Sequence, residues 1–366
     1  VSSKPAEARA APAIGVQAAS LKDVHVSIDG GLGDGGFAIQ VGQVQSAPSE
    51  GTAAVQAITV TSPTGYHNPR AVSADKVAAQ FDWASLFTKD ILVRGITAEN
   101  VRVNCEAKAD RVNLVALLDH VTRIADLMGP SGSGTATVNH LTANNVALTI
   151  RDASGRQFVV RISHIRGHPR TGKLAIKGLS IENPKGYVKG NAMAVAQINV
   201  DLDMASLGTD TLVVNAFVID GVDVAYQPKL GSSNTGRLMN ILESVQGALG
   251  GHAAADGSHG PNYWIKHFYL KNTKIRTTAK LLKCQVQTIP DKHLTDLRGD
   301  DPIDLCFKVS RAMAPDVQNA LTALGGVARK TGEAAEEGVK KASGAVKSGL
   351  DKVFGIFGKK KETDEE

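Results

Sequence analysis

The sequence predicts a mainly β fold with short helices, in an α+β arrangement, and three observations support this prediction. First, the chain of 366 residues is 42% hydrophobic but only 4% aromatic, and it contains 37 glycines. Its buried surface must therefore come mainly from Val, Ile, Leu and Ala, a composition that favours strands joined by many turns. Second, apolar and polar residues alternate, and third, long segments recur. The expected architecture is a tandem repeat of antiparallel β-units that can form a groove, followed by an amphipathic helical tail.

Strict alternation is clearest in QINVDLDMASL (197–207). Ile198, Val200 and Leu202 point to one side of a strand, while the residues between them point to the other side. The same period recurs in ENVRVNC (99–105) and GVDVAY (221–226). We therefore expect each strand to present one apolar face and one solvated face.

The recurrence has a fixed spacing, because ITVTSPTGY (58–66) matches LSIENPKGY (179–187) at an offset of 121 residues (179 − 58 = 121). The same offset aligns three further pairs: FAIQVGQV (37–44) with FVVRISHI (158–165), FDWASLFTKDILV (81–93) with LDMASLGTDTLVV (202–214), and ENVRVNC with DGVDVAY (220–226). Downstream the match shifts by three residues, so that LVALLDHV (114–121) aligns with LMNILESV (238–245). About a quarter of the aligned positions are identical, which predicts two copies of one structural unit.

Three segments begin in the same way, which extends the repeat: VQAASLKDVHV (16–26), VNHLTANNVAL (138–148) and IKHFYLKNTKI (265–275). Each has two apolar stretches separated by a polar turn, so a third, incomplete unit is expected. Small polar runs indicate linkers, and an amphipathic helix precedes each of them. The predicted organisation is a disordered segment 1–15, a first unit 16–128, a linker 129–137, a second unit 138–253, a linker 254–262, a partial third unit 263–310 and a helical Ala/Gly/Lys-rich tail 311–366.

A Pro-x-Gly-Tyr turn occurs in both copies, at 63–66 and at 184–187. Proline presets φ, glycine can adopt the left-handed conformation, and tyrosine can cover the sheet edge with its hydroxyl in water. We interpret this turn as a structural boundary that takes no part in chemistry.

Charge and hydropathy argue against two classes of protein. The 41 Lys and Arg residues exceed the 36 Asp and Glu residues only slightly, for a net charge of +5. Nucleic-acid binding would need clustered basic residues beside aromatic ones, so we expect no nucleic-acid partner. No run reaches the roughly 18 apolar residues of a membrane-spanning helix. Because the chain begins VSSKPAEARAAPAIG without a methionine, we expect a signal peptide or an anchor helix to precede it.

Cysteines and a glycine-rich run are candidate functional motifs. Cys105, Cys284 and Cys306 have no metal-ligand spacing. A Cys284–Cys306 disulfide would be permitted in an oxidising compartment, and lone buried thiols are the alternative. GLGDGG (31–36) matches a dinucleotide-binding pattern but precedes a strand where such a loop must begin a helix, so a flexible hairpin turn is expected.

Acidic and histidine pairs give no stronger indication of catalysis. Asp201 and Asp203 share a strand face, as expected of a solvated surface, and Asp82, which aligns with Asp203, is expected to cap the short turn that follows it. His164 and His168 are four residues apart, but Gly and Pro beside them exclude a helical metal pair. We therefore predict a protein that is not an enzyme and has no cofactor and no metal.

The apolar sheet face is the candidate binding surface. By alternation its lining residues are Ile91, Val93, Val101 and Val103 in the first copy and Leu212, Val214, Val222 and Val224 in the second. Two uses remain open, a groove for lipid acyl chains or an ordinary dry core. Burying apolar area stabilises either arrangement by about 25 cal/mol per Å², so this energy does not separate them.

The C-terminal tail carries a second candidate surface. Its apolar residues fall on one helical stripe: Val339, Val346, Leu350, Val353 and Phe357. Lysines lie off that stripe: Lys340, Lys341, Lys347 and Lys352. Such a helix can lie in a bilayer interface, with each lysine contributing about 1 kcal/mol near anionic lipid. The frequent glycines support the alternative of a solvated, partly disordered tail.

The ordered series of motifs resembles the bacterial AsmA-like family, including its small members of unknown function. The motifs are IENPKGY (181–187), INVDLDMASL (198–207), LVVNAFVIDGVDV (212–224), LMNILESV (238–245), YWIKHFYLKNTKI (263–275) and the tail 332–361. The resemblance covers residues 16–361 and is closer in the second unit. No single motif is specific to the family, but their order is.

This resemblance implies a protein of the Gram-negative cell envelope, usually held by one N-terminal membrane helix with its body in the periplasm. Larger relatives such as AsmA and TamB are thought to move phospholipid along a β-groove with an apolar concave face. The implied function here is non-enzymatic: binding of lipid acyl chains or of a partner at one membrane, with phospholipid or the membrane surface as partner. The alternative is a structural subunit that joins envelope proteins, or copies of itself, through sheet edges.

Overall fold

The computed structural model of the protein has the mainly β architecture that the sequence predicts. It describes residues 19–28, 37–82, 84–85, 88, 90–108, 112–117, 136–207, 209–229, 232–250, 262–277, 285–299 and, between 305 and 320, residues 305, 308–309, 312–313, 315–317 and 319–320. In this part of the chain no helix is both long enough and apolar enough to cross a bilayer.

Eighteen strands make up most of the described chain. They are β1 (Ala19–Ile28), β2 (Phe37–Ala47), β3 (Thr52–Thr61), β4 (Arg70–Phe81), β5 (Ile91–Glu99), β6 (Arg102–Glu106), β7 (Ala136–Val138), β8 (Leu141–Arg151), β9 (Gln157–His168), β10 (Lys173–Glu182), β11 (Asn191–Leu202), β12 (Thr211–Tyr226), β13 (Pro228–Lys229), β14 (Ser232–Ser233), β15 (Asn262–Lys271), β16 (Thr273–Thr277), β17 (Gln285–Ile289) and β18 (Lys292–Gly299). The helices are a short turn, α1, at residues 113–117 and α2 (Asn234–Gly250).

All but two of these strands belong to one 16-stranded sheet, in which neighbours follow the order of the chain. We call strands β1 to β6 the first unit and β8 to β12 the second unit. Pairing is antiparallel within each unit, but β5 and β6 pair in parallel with β7 and β8, and β12 pairs in parallel with β15 and β16. A parallel pair needs a long crossover connection, and the crossovers here contain α1 and α2. The units are therefore continuous parts of one sheet.

The two units share local geometry at the offset seen in the sequence. Strands β2, β3 and β4 are followed by β9, β10 and β11 at a spacing of 121 residues (173 − 52 = 121). Asp82 and Asp203 accept hydrogen bonds from the backbone N–H of Ala84 and Ala205, at 3.1 and 3.0 Å, so the predicted caps are confirmed. A common origin of the units by duplication stays a prediction.

Each helix begins at a buried asparagine that holds the surrounding backbone. Asn234, with 0% exposure, accepts from the N–H of Gln227 at 2.8 Å and donates to the carbonyl of Ala225 and the amide oxygen of Asn183. The equivalent Asn113 makes bonds with Glu106, Asn104 and Ser62. The offset between the two asparagines is still 121 (234 − 113 = 121). The 121-residue offset therefore extends to the helix starts, and the three-residue shift predicted for 114–121 against 238–245 stays a prediction, since residues 118–121 lie outside the described residues.

Seven residues with left-handed backbone lie in one row across the sheet, which we call the kink row. They are Asp23 (φ 54°), Ala57 (53°), Asn100 (53°), Asn145 (54°), Gly178 (63°), Gly221 (70°) and Asn272 (52°). The pairing registers place all seven at one level, on strands that run in the same direction. The sequence predicts a polar turn near the start of each unit, and this prediction is wrong. The structure has a left-handed residue there instead, either inside one strand or between two collinear strands.

The kink row shifts the alternation of side chains by one residue. Ile219 and Val222 are three apart in β12, so in a regular strand they would face opposite sides. Both pack in the same hydrophobic cluster, on either side of Gly221. The row therefore keeps apolar residues above and below it on a single face of the sheet.

We predict that Gly221→Ala lowers the free energy of unfolding by about 2–5 kcal/mol. A non-glycine residue in left-handed backbone costs about 1–2 kcal/mol, and overpacking adds about 1–3 kcal/mol. The new Cβ would stand 2.7 Å from the Cβ of Ala196. Urea denaturation of the full chain measures the change.

Gly186 supplies the matched control, because it has φ +97° but an added Cβ would meet nothing within 4 Å. Gly186→Ala should therefore lose only the backbone part, about 1–2 kcal/mol. Adding Ala196→Gly to Gly221→Ala should restore part of the loss. Equal losses at Gly186 and Gly221, without rescue, would contradict a close approach of strands at the kink row.

Candidate functional site

The strands build one continuous apolar face. Directly paired residues lie on the same side of a sheet, so each level of the registers forms a row of side chains. The row just beyond the kink row contains Val24, Val41, Ile58, Ala74, Val101, Val146, Ile162, Leu179, Val195 and Val222. A second apolar row lies two positions before the kink row along β12. It contains Val44, Val55, Val77, Ala98, Ala143, Ile165, Ile176, Ile198, Ile219 and Leu270. We call the side that carries these rows the apolar face.

The described residues cover only part of the apolar face. From β2 to β10 its two rows are half-buried, except for the small Ala74, which is buried. None of these half-buried residues except Leu179 belongs to a hydrophobic cluster of the described chain. We call this stretch the open groove.

Helix α2 covers one end of the apolar face. Leu238 and Ile241 pack with Phe158 of β9 and Ala192 of β11, which precede the apolar row residues Ile162 and Val195 in those strands. One helical turn later, Val245 packs with Ala107 and Val112 of the first unit. The helix therefore ties the two units together and limits the open groove on this side.

The described residues between 305 and 320, which we call the C-terminal helical segment, cover the face at its last strands. Leu305, Met313 and Ala320 are 7–8% exposed and pack with strands β11 to β16. An ion pair of 2.7 Å between Lys292 and Asp316 holds this segment to β18. Here the apolar rows form a dry core.

The predicted lining residues fall into both environments. Val101 and Val103 lie half-buried on the open groove, whereas Val214 and Val222 are 8% exposed and lie in the covered cluster, with Val224 packed against it. The other three lie near the starts of β5 and β12: Ile91 is exposed, Val93 is buried and Leu212 is half-buried. The groove and the dry core are thus two regions of one face.

Several predicted features lie outside the described residues. These are the hairpin loop 31–36, Cys284, Cys306 and the tail surface of Val339, Val346, Leu350, Val353, Phe357, Lys340, Lys341, Lys347 and Lys352. Of the predicted linkers, residues 136–137 belong to β7 and residue 262 to β15. Cys105 is a free thiol, and burial raises its pKa, so its reactive thiolate form is disfavoured at neutral pH.

The opposite face carries the polar side chains. His164 and His168 both lie in strand β9, and the imidazole of His164 contacts the amide oxygen of Asn144 at 2.6 Å. Asn144 in turn donates to Glu99 at 2.7 Å, across the parallel joint between the units. Within the described ranges no three His, Cys, Asp or Glu residues come together as a metal site.

The sequence does not predict two features of this polar face. One is a cavity beside His168, and the other is the contact between His168 and His140. The ring Nδ1 atoms of His140 and His168 are 2.8 Å apart. Residues 140 and 168 are distant in the sequence, and only strand pairing brings them together. No periodicity within one strand could have indicated this contact.

Comparisons with protein-family models and with curated proteins gave no significant match to this chain.

We predict that Met313→Asp detaches the C-terminal helical segment from the apolar face. A carboxylate cannot be desolvated there without a large cost, since Met313 is 8% exposed. Fluorescence of an apolar-surface dye should rise severalfold, and hydrogen exchange should accelerate within residues 305–320. Asn319→Asp adds the same charge at an exposed position of the same segment and should change neither signal. Identical behaviour of both variants would contradict the assignment of this segment as a cover.

Proposed function

We propose that the open groove binds acyl chains of phospholipid and that the protein is a non-enzymatic, membrane-associated component of the bacterial cell envelope. The observation that supports this proposal is the unbroken apolar face, which stays half-exposed from β2 to β10 while polar residues occupy the other face. Water is a poor solvent for such a surface, and large exposed apolar patches mark binding sites.

The dimensions of the groove suit a lipid chain. Neighbouring strands are about 4.8 Å apart, so the seven-strand path from β2 to β10 spans about 29 Å. One acyl chain in a bilayer needs about half of the 30 Å hydrocarbon thickness. The groove is therefore long enough to hold an extended chain lengthwise across the strands.

The resemblance to the AsmA-like family supports the envelope location. Its periplasmic, membrane-bound members present an apolar β-groove, which is the surface proposed here. Among the described residues, α2 packs along the β6 to β11 part of the sheet and the C-terminal helical segment covers the face from β11 onward, next to the β10 end of the groove. A groove of about 29 Å suits the holding of one lipid at one membrane more than a conduit between two membranes.

A scaffold is the second candidate function, and the two sheet edges favour it. In the described part of the chain no strand pairs with the outer side of β1 or of β17 and β18. Leu21 on β1 is 60% exposed and Val286 on β17 is 54% exposed. Edge strands with exposed apolar side chains can pair with another chain. Light scattering after size exclusion separates the candidates: a lipid-free oligomer indicates the scaffold, and a monomer that retains phospholipid indicates the groove.

Mass spectrometry of lipids extracted from natively purified protein tests the groove directly, using Val41→Glu as the variant. Val41 lies half-buried on the apolar face, so a carboxylate there must lose water when an acyl chain binds. Phospholipid recovered per mole of protein should fall about tenfold or more, because each 1.4 kcal/mol is a factor of ten.

The adjacent Gln40→Glu is the control, since Gln40 is exposed on the polar face of the same strand. It should retain phospholipid at the level of the unmodified chain. If Val41→Glu unfolds the chain while the unmodified chain carries no phospholipid, this region is a core and the proposal is wrong. Retention of lipid by folded Val41→Glu would also contradict it.

A further inference from the structure

The polar face carries a concavity at the same place in each unit. In the second unit a cavity of about 270 Å³ is lined by Arg166, His168, Lys173, Asn199, Asp201 and Val218, among others. In the first unit a cavity of about 590 Å³ is lined by Gln45, Ala47, Thr52, Ala54, Ala78 and Gln80, among others. Both lie on the side of the sheet opposite the apolar face.

The registers show that the two cavities are equivalent. Ala54 pairs with Gln45 and Ala78, and Ala175 pairs with Arg166 and Asn199. We call a set of directly paired residues on neighbouring strands a rung. The next rung on the polar face joins Thr52 with Ala47 and Gln80 in the first unit, and Lys173 with His168 and Asp201 in the second. Each of these six positions in the first cavity is 121 residues from its counterpart in the second (166 − 45 = 121).

The two linings differ in charge at equivalent positions. Where the first unit has Gln45, Ala47 and Thr52, the second has Arg166, His168 and Lys173. Asp201 stands in place of Gln80, and the charged residue of the first cavity is Lys76. The second cavity therefore concentrates three basic side chains where the first has neutral ones.

The second cavity has two fixed cationic side chains, Arg166 and Lys173, and one carboxylate, Asp201, in its lining. Among the residues that the structure describes, no carboxylate lies within 4 Å of Arg166 or Lys173, although Asp201 is the cross-strand partner of Lys173. Nearby, Arg161 of the same strand has a partner, Glu182, at 2.6 Å. The cavity thus presents positive charge that an incoming anion can neutralise.

The charged groups around His140 and His168 favour an anion over a metal cation as the ligand of this cavity. Desolvation, followed by the charges of His140, Arg166 and Lys173, lowers the pKa of His168. The groups that face His168 are thus His140 before β8, Arg166 on β9 and Lys173 on β10, with Asp201 on β11 completing the rung. The fixed positive charges of Arg166 and Lys173 in the same lining repel a metal cation and attract an anion.

We propose that the second-unit cavity binds a phosphate group, with Arg166, Lys173 and His168 as its ligands and with Ala175, Ala216 and Val218 contacting the apolar part of the same molecule. A guanidinium pairs well with phosphate oxygens, and an ammonium adds a point charge. The volume is at the small end of ligand pockets, so a phosphate with a small organic substituent fits better than a whole lipid. Two sources share this chemistry, a free phosphomonoester and the headgroup of a phospholipid.

The test uses the first unit as the template for removing the site. In Arg166→Gln with Lys173→Thr, both residues take their first-unit identities and His168 remains as a reporter. NMR titration of the full chain measures the pKa of His168 with and without sodium sulfate. Sulfate should raise this pKa in the unmodified chain, because a bound dianion stabilises the imidazolium. Without sulfate the pKa should already be higher in the double variant, and sulfate should not move it.

The reciprocal change tests sufficiency. Gln45→Arg, Ala47→His and Thr52→Lys, placed on the double variant, should restore sulfate binding in the first cavity, seen as a sulfate-dependent pKa of the new histidine. Glycerol 3-phosphate and vesicles of phosphatidylglycerol then identify the source. A response to both indicates a soluble ligand, and a response to vesicles alone indicates a headgroup.

The proposal is overturned if sulfate and glycerol 3-phosphate leave the pKa of His168 unchanged in the unmodified chain, or if the double variant responds as the unmodified chain does. This outcome is independent of the acyl-chain groove. Val41→Glu should keep the sulfate response while losing phospholipid, because Val41 lies on the other face and in the other unit.

Discussion

The position of the left-handed residues determines what the rest of the sheet can do. In an uninterrupted strand, side chains alternate strictly, so the apolar residues on the two sides of the kink row would face opposite ways. A single left-handed residue in every strand of one direction corrects the phase, and Ile219 and Val222 can then share one cluster. Without that correction the sheet would present two half-apolar faces, and neither could form a groove or a core.

Continuity of the face explains why the units merge into one sheet. A unit that ended in a free edge would expose the backbone of β6 or β12. The parallel joints to β8 and to β15 and β16 pair those edges, and the required crossovers bring α1 and α2 into place. Because α2 packs on both units and the described residues between 305 and 320 pack on the last strands, the stretch from β2 to β10 is the part of the face that remains half-buried.

The sequence predicted the strands. It did not predict how the strand segments on the two sides of each kink-row residue are joined. The segments around Asp23, Asn145 and Asn272 contain an apolar step of three residues, a pattern that in sequence alone indicates a turn between strands. Asn, Asp and Gly tolerate the left-handed conformation, so the composition fits either interpretation. Only pairing with neighbours on both sides distinguishes a kink from a turn. Likewise, Asn113 and Asn234 look ordinary in sequence, and their role depends on partners up to 51 residues away.

Alternation also allows the two faces to change independently. Gln45 and Arg166 occupy equivalent positions, and each is preceded by an apolar residue, Val44 or Ile165, that faces the groove. A substitution on the polar rung therefore alters charge without placing a polar atom on the apolar face. Substitutions are restricted mainly at the kink row, because Gly221 stands close to Ala196 there and the backbone conformation affects both faces. We expect variation among natural versions of this sheet to concentrate on the polar rungs and to be limited to small residues, Asn or Asp at the kink row.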